Sequence, residues 1–288
     1  APLHLALMDI YESRGKFDDA AAVGRSMIER NLEPVRAHFA LARLSQRRGR
    51  PGEAFNHLSA VAGKMEDQPA VFSEGDRSEI QVRMVQTLMD ADRIDEALSL
   101  AQSGGRRFPS DVRFVLRRGE ALLLQGRTGE AEELFRQKLP AVKEDPRRAV
   151  QVSDTYLSAG ARRDRAGKVD EAETHLRAAI RWNSRNASAL NYLGYMLADR
   201  GARLDEAIGY IRSALEIDPG NGAFLDSLGW AYFKKAEYGR AEQYLGEALS
   251  ALAQEPAIYD HLGDLYRATG RRPLSIEAWR KALDHGAE

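Results

Sequence analysis

The chain has 288 residues, 43% hydrophobic and 30% charged, enough apolar content for a substantial core and too evenly mixed for a membrane span or a disordered tail. Its 42 Lys and Arg against 43 Asp and Glu leave a formal net charge of −1, which disfavours a nonspecific polyanion binder. The absence of cysteine excludes disulfides, thiolate nucleophiles, Cys-ligated zinc and iron–sulfur clusters, and leaves reducing and oxidising compartments equally open.

The chain opens Ala1-Pro2-Leu3 with no initiator Met, basic n-region or long apolar stretch. Neither a signal peptide nor a transmembrane helix is expected, and the sequence reads as an excised or processed piece. The first predicted helical hairpin turns at Gly15-Lys16-Phe17-Asp18-Asp19, which ends one helix and starts another opening on Ala20. The same phrase returns as Gly49-Arg50-Pro51-Gly52-Glu53 before Ala54, as Gly126-Arg127-Thr128-Gly129-Glu130 before Ala131, and as Gly167-Lys168-Val169-Asp170-Glu171 before Ala172. Opening alanines can be followed at Ala20, Ala54, Ala97, Ala131, Ala172, Ala207 and Ala241, with Ser275 in the eighth place. Their spacings are 34, 43, 34, 41, 35, 34 and 34, so extra residues fall near 63–77 and near 139–152. These interruptions are expected as lengthened helices or an exposed loop, with 66–77 the expected loop because Pro69, Gly75 and several acids cluster there. Asp145-Pro146 and Asp218-Pro219 fall between units, where Pro cannot continue one helix but readily begins the next. Val and Ile are scattered rather than alternating, so no strand pattern competes.

Alanine and glycine at helix crossings let two backbones approach, while Leu, Tyr and Phe three or four residues away fill the space beside the contact. Gly229 is expected at the closest crossing of its unit. One helical pair cannot bury enough surface to offset about 1 to 2 kcal/mol of backbone entropy per residue, so it must stack on neighbours.

Three consecutive units agree at several positions together: Leu193-Gly194, Leu197, Ala207, Ile211, Ala214 and Pro219; Leu228-Gly229, Tyr232, Ala241 and Leu245; Leu262-Gly263, Tyr266, Ser275 and Trp279. The period is 34, with one residue inserted near Gly201. The pattern resembles the tetratricopeptide repeat. The resemblance implies an all-α fold, a right-handed superhelical solenoid of about eight helix-turn-helix units and about sixteen helices. A single array would then cover 1–288, with units near 1–34, 35–77, 78–111, 112–152, 153–186, 187–221, 222–255 and 256–288.

In that family the first helices line the concave wall, which implies two rows down a groove: Asn191, Asp226 and Asp260, and Tyr195, Trp230 and Asp264, joined by Phe233 and His261. Amide and carboxylate groups can hold peptide backbone or basic side chains, and rigid rings supply apolar contact area. The opposing reading has Tyr195, Trp230 and Phe233 simply filling the space between adjacent first helices. Earlier in the chain the corresponding positions are Phe39 with Arg43, Val82 with Gln86, Leu116 with Glu120, and Leu157 with Ala161, a half that reads as less polar.

No catalytic constellation competes. Asp95-Glu96, Asp170-Glu171 and Asp205-Glu206 fit the positive ends of helix dipoles, and adjacent helical carboxylates diverge too far to face one bond. None of His4, His38, His57, His175, His261 and His285 falls in a zinc spacing. Ser227 lacks the first glycine of a nucleophile elbow. The arginine pairs 47–48, 106–107, 117–118, 147–148 and 162–163 read as a self-neutralising face rather than an RNA-binding stripe. No enzyme activity, cofactor, metal, nucleic acid or direct membrane insertion is therefore expected.

The phrases Asn191-Tyr192-Leu193-Gly194-Tyr195, Phe224-Leu225-Asp226-Ser227-Leu228-Gly229-Trp230 and Asp260-His261-Leu262-Gly263-Asp264 are similar to the last three repeats of bacterial envelope tetratricopeptide lipoproteins, among them adaptors of C-terminal processing proteases. This closer resemblance implies a non-catalytic scaffold or adaptor that binds an extended segment of a partner protein and delivers substrates to a protease. The full-length protein would then be periplasmic or anchored to the outer membrane, with the cytoplasm as the alternative. Two other readings remain. A self-assembling scaffold, and hence a homo-oligomer, is suggested by a final helix bearing Ile276, Trp279 and Leu283 with no following helix to cover it. The array would otherwise be the substrate-recognition arm of a larger enzyme.

Overall fold

A computed structural model describes residues 2–68, 70–139 and 145–286. The described residues form sixteen helices and no strand. In the first half these are α1 (Pro2–Ser13), α2 (Phe17–Glu29), α3 (Pro34–Arg47), α4 (Pro51–Asp67), α5 (Glu74–Asp90), α6 (Ile94–Arg107), α7 (Val112–Leu124) and α8 (Thr128–Lys138). The second half holds α9 (Arg147–Arg165), α10 (Val169–Trp182), α11 (Ala187–Asp199), α12 (Leu204–Ile217), α13 (Gly222–Lys234), α14 (Tyr238–Ala251), α15 (Pro256–Ala268) and α16 (Arg272–Asp284). The chain divides into two compact units, Ala1–Ala141 and Val142–Glu288.

Within each unit every odd-numbered helix packs on the even-numbered helix that follows it, and each even-numbered helix packs on the next odd one. Odd-numbered helices also touch one another: α1 with α3 and α5 with α7 in the first unit, and α9 with α11, α11 with α13 and α13 with α15 in the second. Even-numbered helices make no comparable contact among themselves in the described residues. The odd helices therefore form the inner wall of each unit, as the repeat pattern implies.

The opening alanines lie where the sequence places them. Ala54, Ala97, Ala131, Ala172, Ala207 and Ala241 are wholly buried and Ala20 nearly so. Ser275 replaces alanine without leaving a stranded hydroxyl, because its Oγ donates to the Gly263 carbonyl across the crossing (2.9 Å). A Cβ on Gly229 would sit 2.7 Å from Leu245 Cγ and 3.1 Å from its backbone nitrogen, so this glycine marks a tight crossing as expected. Gly194 is tighter still against the main chain, since a Cβ there would meet the Ala207 carbonyl oxygen at 2.8 Å and Ile211 Cγ1 at 2.6 Å.

Each hairpin turn contains a left-handed residue that releases the chain from one helix into the next. Glycine takes this role in most of them; Asp92 and Ala236 do so at φ 57° and 61°. The residue inserted near Gly201 is absorbed by a turn in which both Gly201 and Arg203 are left-handed.

The interruptions are taken up mainly by helix lengthening. α4 runs on to Asp67 and α5 begins at Glu74, so the two helices, each of 17 residues, take up both ends of the stretch 66–77 expected as a loop. Pro69 lies outside the described residues. Gly75 is helical because Ser73 caps α5 reciprocally: its Oγ accepts from the Asp76 backbone N–H (3.1 Å), and its own N–H donates to Asp76 Oδ2 (2.9 Å). At the second interruption residues 140–144 lie outside the described set, and α9 extends to 19 residues. Pro146 occupies the N-cap position of α9, so the helix starts at the proline as expected. Pro219 instead stays in the turn, because Asn221 caps α13 by accepting from the backbone N–H groups of Ala223 and Phe224.

Candidate functional site

The eight residues singled out in the second unit all lie on odd-numbered helices: Asn191 and Tyr195 on α11; Asp226, Trp230 and Phe233 on α13; Asp260, His261 and Asp264 on α15. Rings from all three helices meet. His261 stacks on Trp230 at 4.3 Å between centroids, Phe233 stacks on Trp230 at 4.9 Å, and Tyr195 lies 6.5 Å from His261. The His261 Nδ1–H donates to Asp226 Oδ1 at 2.8 Å, which leaves Nε2 as the acceptor in the neutral ring.

Much of this cluster is packed rather than presented. Trp230 is 7% exposed, Asp226 and His261 8% each, and the indole Nε1–H is donated to Asp199 Oδ1 at 3.1 Å. Lys234 covers the indole from 5.0 Å. These three residues thus hold α11, α13 and α15 together. What remains open is the half-buried set of Asn191, Tyr195, Phe233 and Asp264, with the exposed Asp260. Burial first, then the charges of Asp199, Asp226, Asp164 and Asp260, push the Tyr195 hydroxyl pKa upward, so this face is acidic.

Asn191 stands apart because its Oδ1 is buried without a hydrogen-bond partner. Gln86, one of the groove positions of the first unit, shares this property: its Nε2 donates to Asp90 at 3.3 Å while its Oε1 is buried and unpartnered. Native proteins rarely leave such acceptors unsatisfied.

The first unit carries a cleft of about 420 Å³ lined by Leu5 and Asp9 of α1, by Arg36, Phe39, Ala40, Ala42, Arg43 and Gln46 of α3, by Leu58 of α4 and by Arg83 of α5. The expectation that this half is less polar is therefore corrected. The two groove rows caught Phe39 and Arg43 but passed between Arg36 and Arg83, which enter the same opening from the adjacent helical positions. Arg43 bonds Asp9 at 2.5 Å and Glu12 at 3.2 Å, and Arg47 bonds the other oxygen of the buried Glu12 at 2.7 Å. Arg36 is paired at 2.9 Å with Glu33, the residue that precedes α3, and Arg83 at 2.7 Å with Glu79 of its own helix.

Most of the other polar groups singled out in the sequence have structural roles. Asp95-Glu96, Asp170-Glu171 and Asp205-Glu206 occupy the first turns of α6, α10 and α12. Each arginine pair contributes at least one ion pair: Arg47 with Glu12, Arg48 with Asp18, Arg107 with Glu66, Arg117 with Glu120, Arg147 and Arg148 with Asp145, and Arg163 with Glu171. Ser227 Oγ donates to the Ala223 carbonyl of its own helix at 2.9 Å. Asn186, in the short Asn-Ala-Ser sequon, is buried and gives its amide to Ser153 and Asp154 while capping α11. No group of three or more metal-ligating side chains occurs among the described residues, and none of their helices is long and apolar enough to cross a membrane.

A crystal structure of the Cut9–Hcn1 hetero-tetramer of the APC/C is similar at 16% identity and a TM-score of 0.48, over 99% of this chain and 52% of the other. This chain thus spans about half the length of that relative. A tetratricopeptide repeat protein from Parabacteroides merdae ATCC 43184 is 14% identical over 88% of this chain and 94% of its own, with a TM-score of 0.46. YrrB, described as a tetratricopeptide repeat protein with an unusual peptide-binding site, is 19% identical over 68% and 94% respectively, with a TM-score of 0.40. At such identities the likeness is one of fold and not of ligand. None of the curated proteins compared matches the chain. The tetratricopeptide repeat model matches residues 5–68, 82–146 and 157–222, well over half of the sequence. With the recurrent alanines, the paired helices and this match in agreement, the chain belongs to the tetratricopeptide repeat family, whose arrays generally mediate protein–protein interaction.

Proposed function

We propose that this chain is a non-catalytic scaffold or adaptor that holds an extended segment of a partner protein on the faces of its odd-numbered helices. One observation carries the reading: Asn191 Oδ1 and Gln86 Oε1, both on odd-numbered helices, are buried acceptors with no donor. Both side chains are half-buried, so turning either amide outward brings its oxygen to a main-chain N–H of an extended peptide, and Tyr195 and Phe233 supply adjacent ring surface. In this reading the eight repeat units keep the bounds expected from the sequence, and Asp260 and Asp264 favour basic side chains at the second unit. Delivery of substrates to a processing protease in the bacterial envelope is the finer form of the proposal and rests on the resemblance of the last three repeats.

The test is selection of peptides from a random display library, followed by affinity measurement on Asn191→Leu and Gln86→Leu. Weakened binding with an unchanged helical circular dichroism spectrum supports the reading, and unaltered affinity in both variants removes it. A second reading, self-association, has its own observation. Leu3, Leu7 and Ile10 on α1 are 84%, 38% and 48% exposed in a helical stripe, and Leu274, Ile276 and Leu283 on α16 are likewise open. Sedimentation velocity over a concentration series decides it, since a constant monomer would rule it out.

A further inference from the structure

The cleft of the first unit has a charge and a floor that define a ligand more narrowly than its fold does. Its lining holds three guanidinium groups against the single carboxylate of Asp9. Arg36 and Arg43 are seven residues apart, two turns along one face of α3, and Arg83 faces them from α5. Between them lies an apolar floor in which Phe39 packs on Ala42, Ala54 and Leu58.

The arginines are not equivalent. Arg43 is committed to Asp9 and to the buried Glu12, so it is part of the framework. Arg36 is held only by the half-exposed Glu33 that precedes α3 and Arg83 only by the half-exposed Glu79 of its own helix, and their side chains are 67% and 56% exposed. Glu79, the partner of Arg83, is shared with Arg113. Such exposed pairs contribute little and exchange readily for an incoming carboxylate, which a guanidinium can grip with two parallel N–H bonds.

We infer that this cleft binds an acidic peptide segment with interspersed apolar residues, its carboxylates on Arg36 and Arg83 and an apolar side chain on the Phe39 floor. The inference rests on the reading that odd-helix faces capture partner segments, and it adds the chemistry of one of them. A cleft of about 420 Å³ is of the size that takes a compact ligand. A nucleic acid fits less well, because Asp9, Glu33 and Glu79 stand among the arginines and repel a continuous run of phosphates. A peptide places its carboxylates discretely, with apolar side chains between them. Around Tyr195 in the second unit the neighbouring charges are the carboxylates of Asp199, Asp226, Asp164 and Asp260, so the preference belongs to the cleft and not to the fold.

The test is fluorescence anisotropy on the full chain with three labelled probes: a peptide of alternating Glu and Leu, the same length of alternating Lys and Leu, and an oligothymidylate. Arg36→Glu with Arg83→Glu is the diagnostic variant, and Arg36→Gln with Arg83→Gln is the milder one should charge reversal disturb the helices. Arg43 is left in place because Glu12 depends on it. The acidic peptide should bind the wild type, weaken with added salt, and lose about tenfold or more in the double variants. The basic peptide should gain on the charge-reversed protein. Equal affinity of wild type and both double variants for the acidic peptide, or tighter binding of the oligothymidylate, overturns the inference. If the acidic peptide fails while display-selected peptides still bind through Asn191 and Gln86, this inference falls and the interaction role stands; if neither binds, both fall.

Discussion

Replacing Asn191 by Leu should make the protein more stable and less able to bind. The Asn191 Oδ1 is buried with no hydrogen bond, and no side-chain bond made by this residue would be lost. An unsatisfied buried acceptor costs about 1–3 kcal/mol, whereas an apolar side chain of similar size in the same place can be neutral or stabilising. Part of that gain is lost to the different branching of Leu, so a net stabilisation of about 1 kcal/mol is expected. In a unit of this size such a change raises Tm by roughly 3 °C. The assay is thermal unfolding followed by circular dichroism, run beside titration of a display-selected peptide. A hydrogen bond to an otherwise orphaned acceptor is worth about 1 kcal/mol in binding, so affinity should fall roughly fivefold or more. A lower Tm would show that the amide already has a structural partner, and an unchanged affinity would show that no ligand uses it. Either result refutes the reasoning.

Three further outcomes follow from particular contacts. Gly194→Leu should destabilise more than Gly229→Leu, each by at least about 1–3 kcal/mol, because the new side chain at 194 meets the Ala207 carbonyl rather than only the Leu245 side chain and backbone nitrogen; equal melting temperatures would place the closest crossing elsewhere. Asp226→Ala should cost about 1–3 kcal/mol, because Asp226 is buried and accepts from His261. A double-mutant cycle with His261→Ala should show coupling, and strict additivity would contradict the pairing. His38 and His57 face each other with Nδ1 atoms 3.1 Å apart, and burial, with help from Lys64 at His38 and Arg25 at His57 against Glu53, depresses both below the ordinary 6.5. The unfolded chain then binds more protons in this range, so stability is full above about pH 6.5 and declines as pH falls through the depressed folded values. His57→Gln should flatten that decline in denaturant titrations at stepped pH; a slope unchanged by the substitution would assign it to other groups.

The helical array was legible because its determinants recur. The opening alanines and the glycines at 194, 229 and 263 are dictated by backbone approach, which admits few residue types, and the spacing of small residues therefore reports the crossings directly. The start of α5 was also written in the chain, as Ser73 followed by Asp76, but clustered acids, Pro69 and Gly75 suggested a longer loop and masked the capping box. The site was less legible. Helical phase places Trp230 and Asp226 on odd-helix faces correctly but does not reveal that His261 and Asp199 of neighbouring helices close over them. That closure depends on how far α11, α13 and α15 lie from one another, which a single repeat does not encode. The arginine cleft escaped for a related reason: Arg36 and Arg83 lie one helical step outside the two rows, and only the arrangement of α3 and α5 brings them to one opening.

Recognition by the inner wall is decided by which helices a bound segment touches. Amide chemical-shift mapping of the full chain with a display-selected peptide answers this directly. Perturbations should concentrate on odd-numbered helices, around Gln46 and Gln86 or around Asn191 and Tyr195, with the even-numbered helices largely unmoved. Perturbations confined to even-numbered helices such as α4, α12 or α16 would contradict the claim that the inner wall of each unit is the recognition surface.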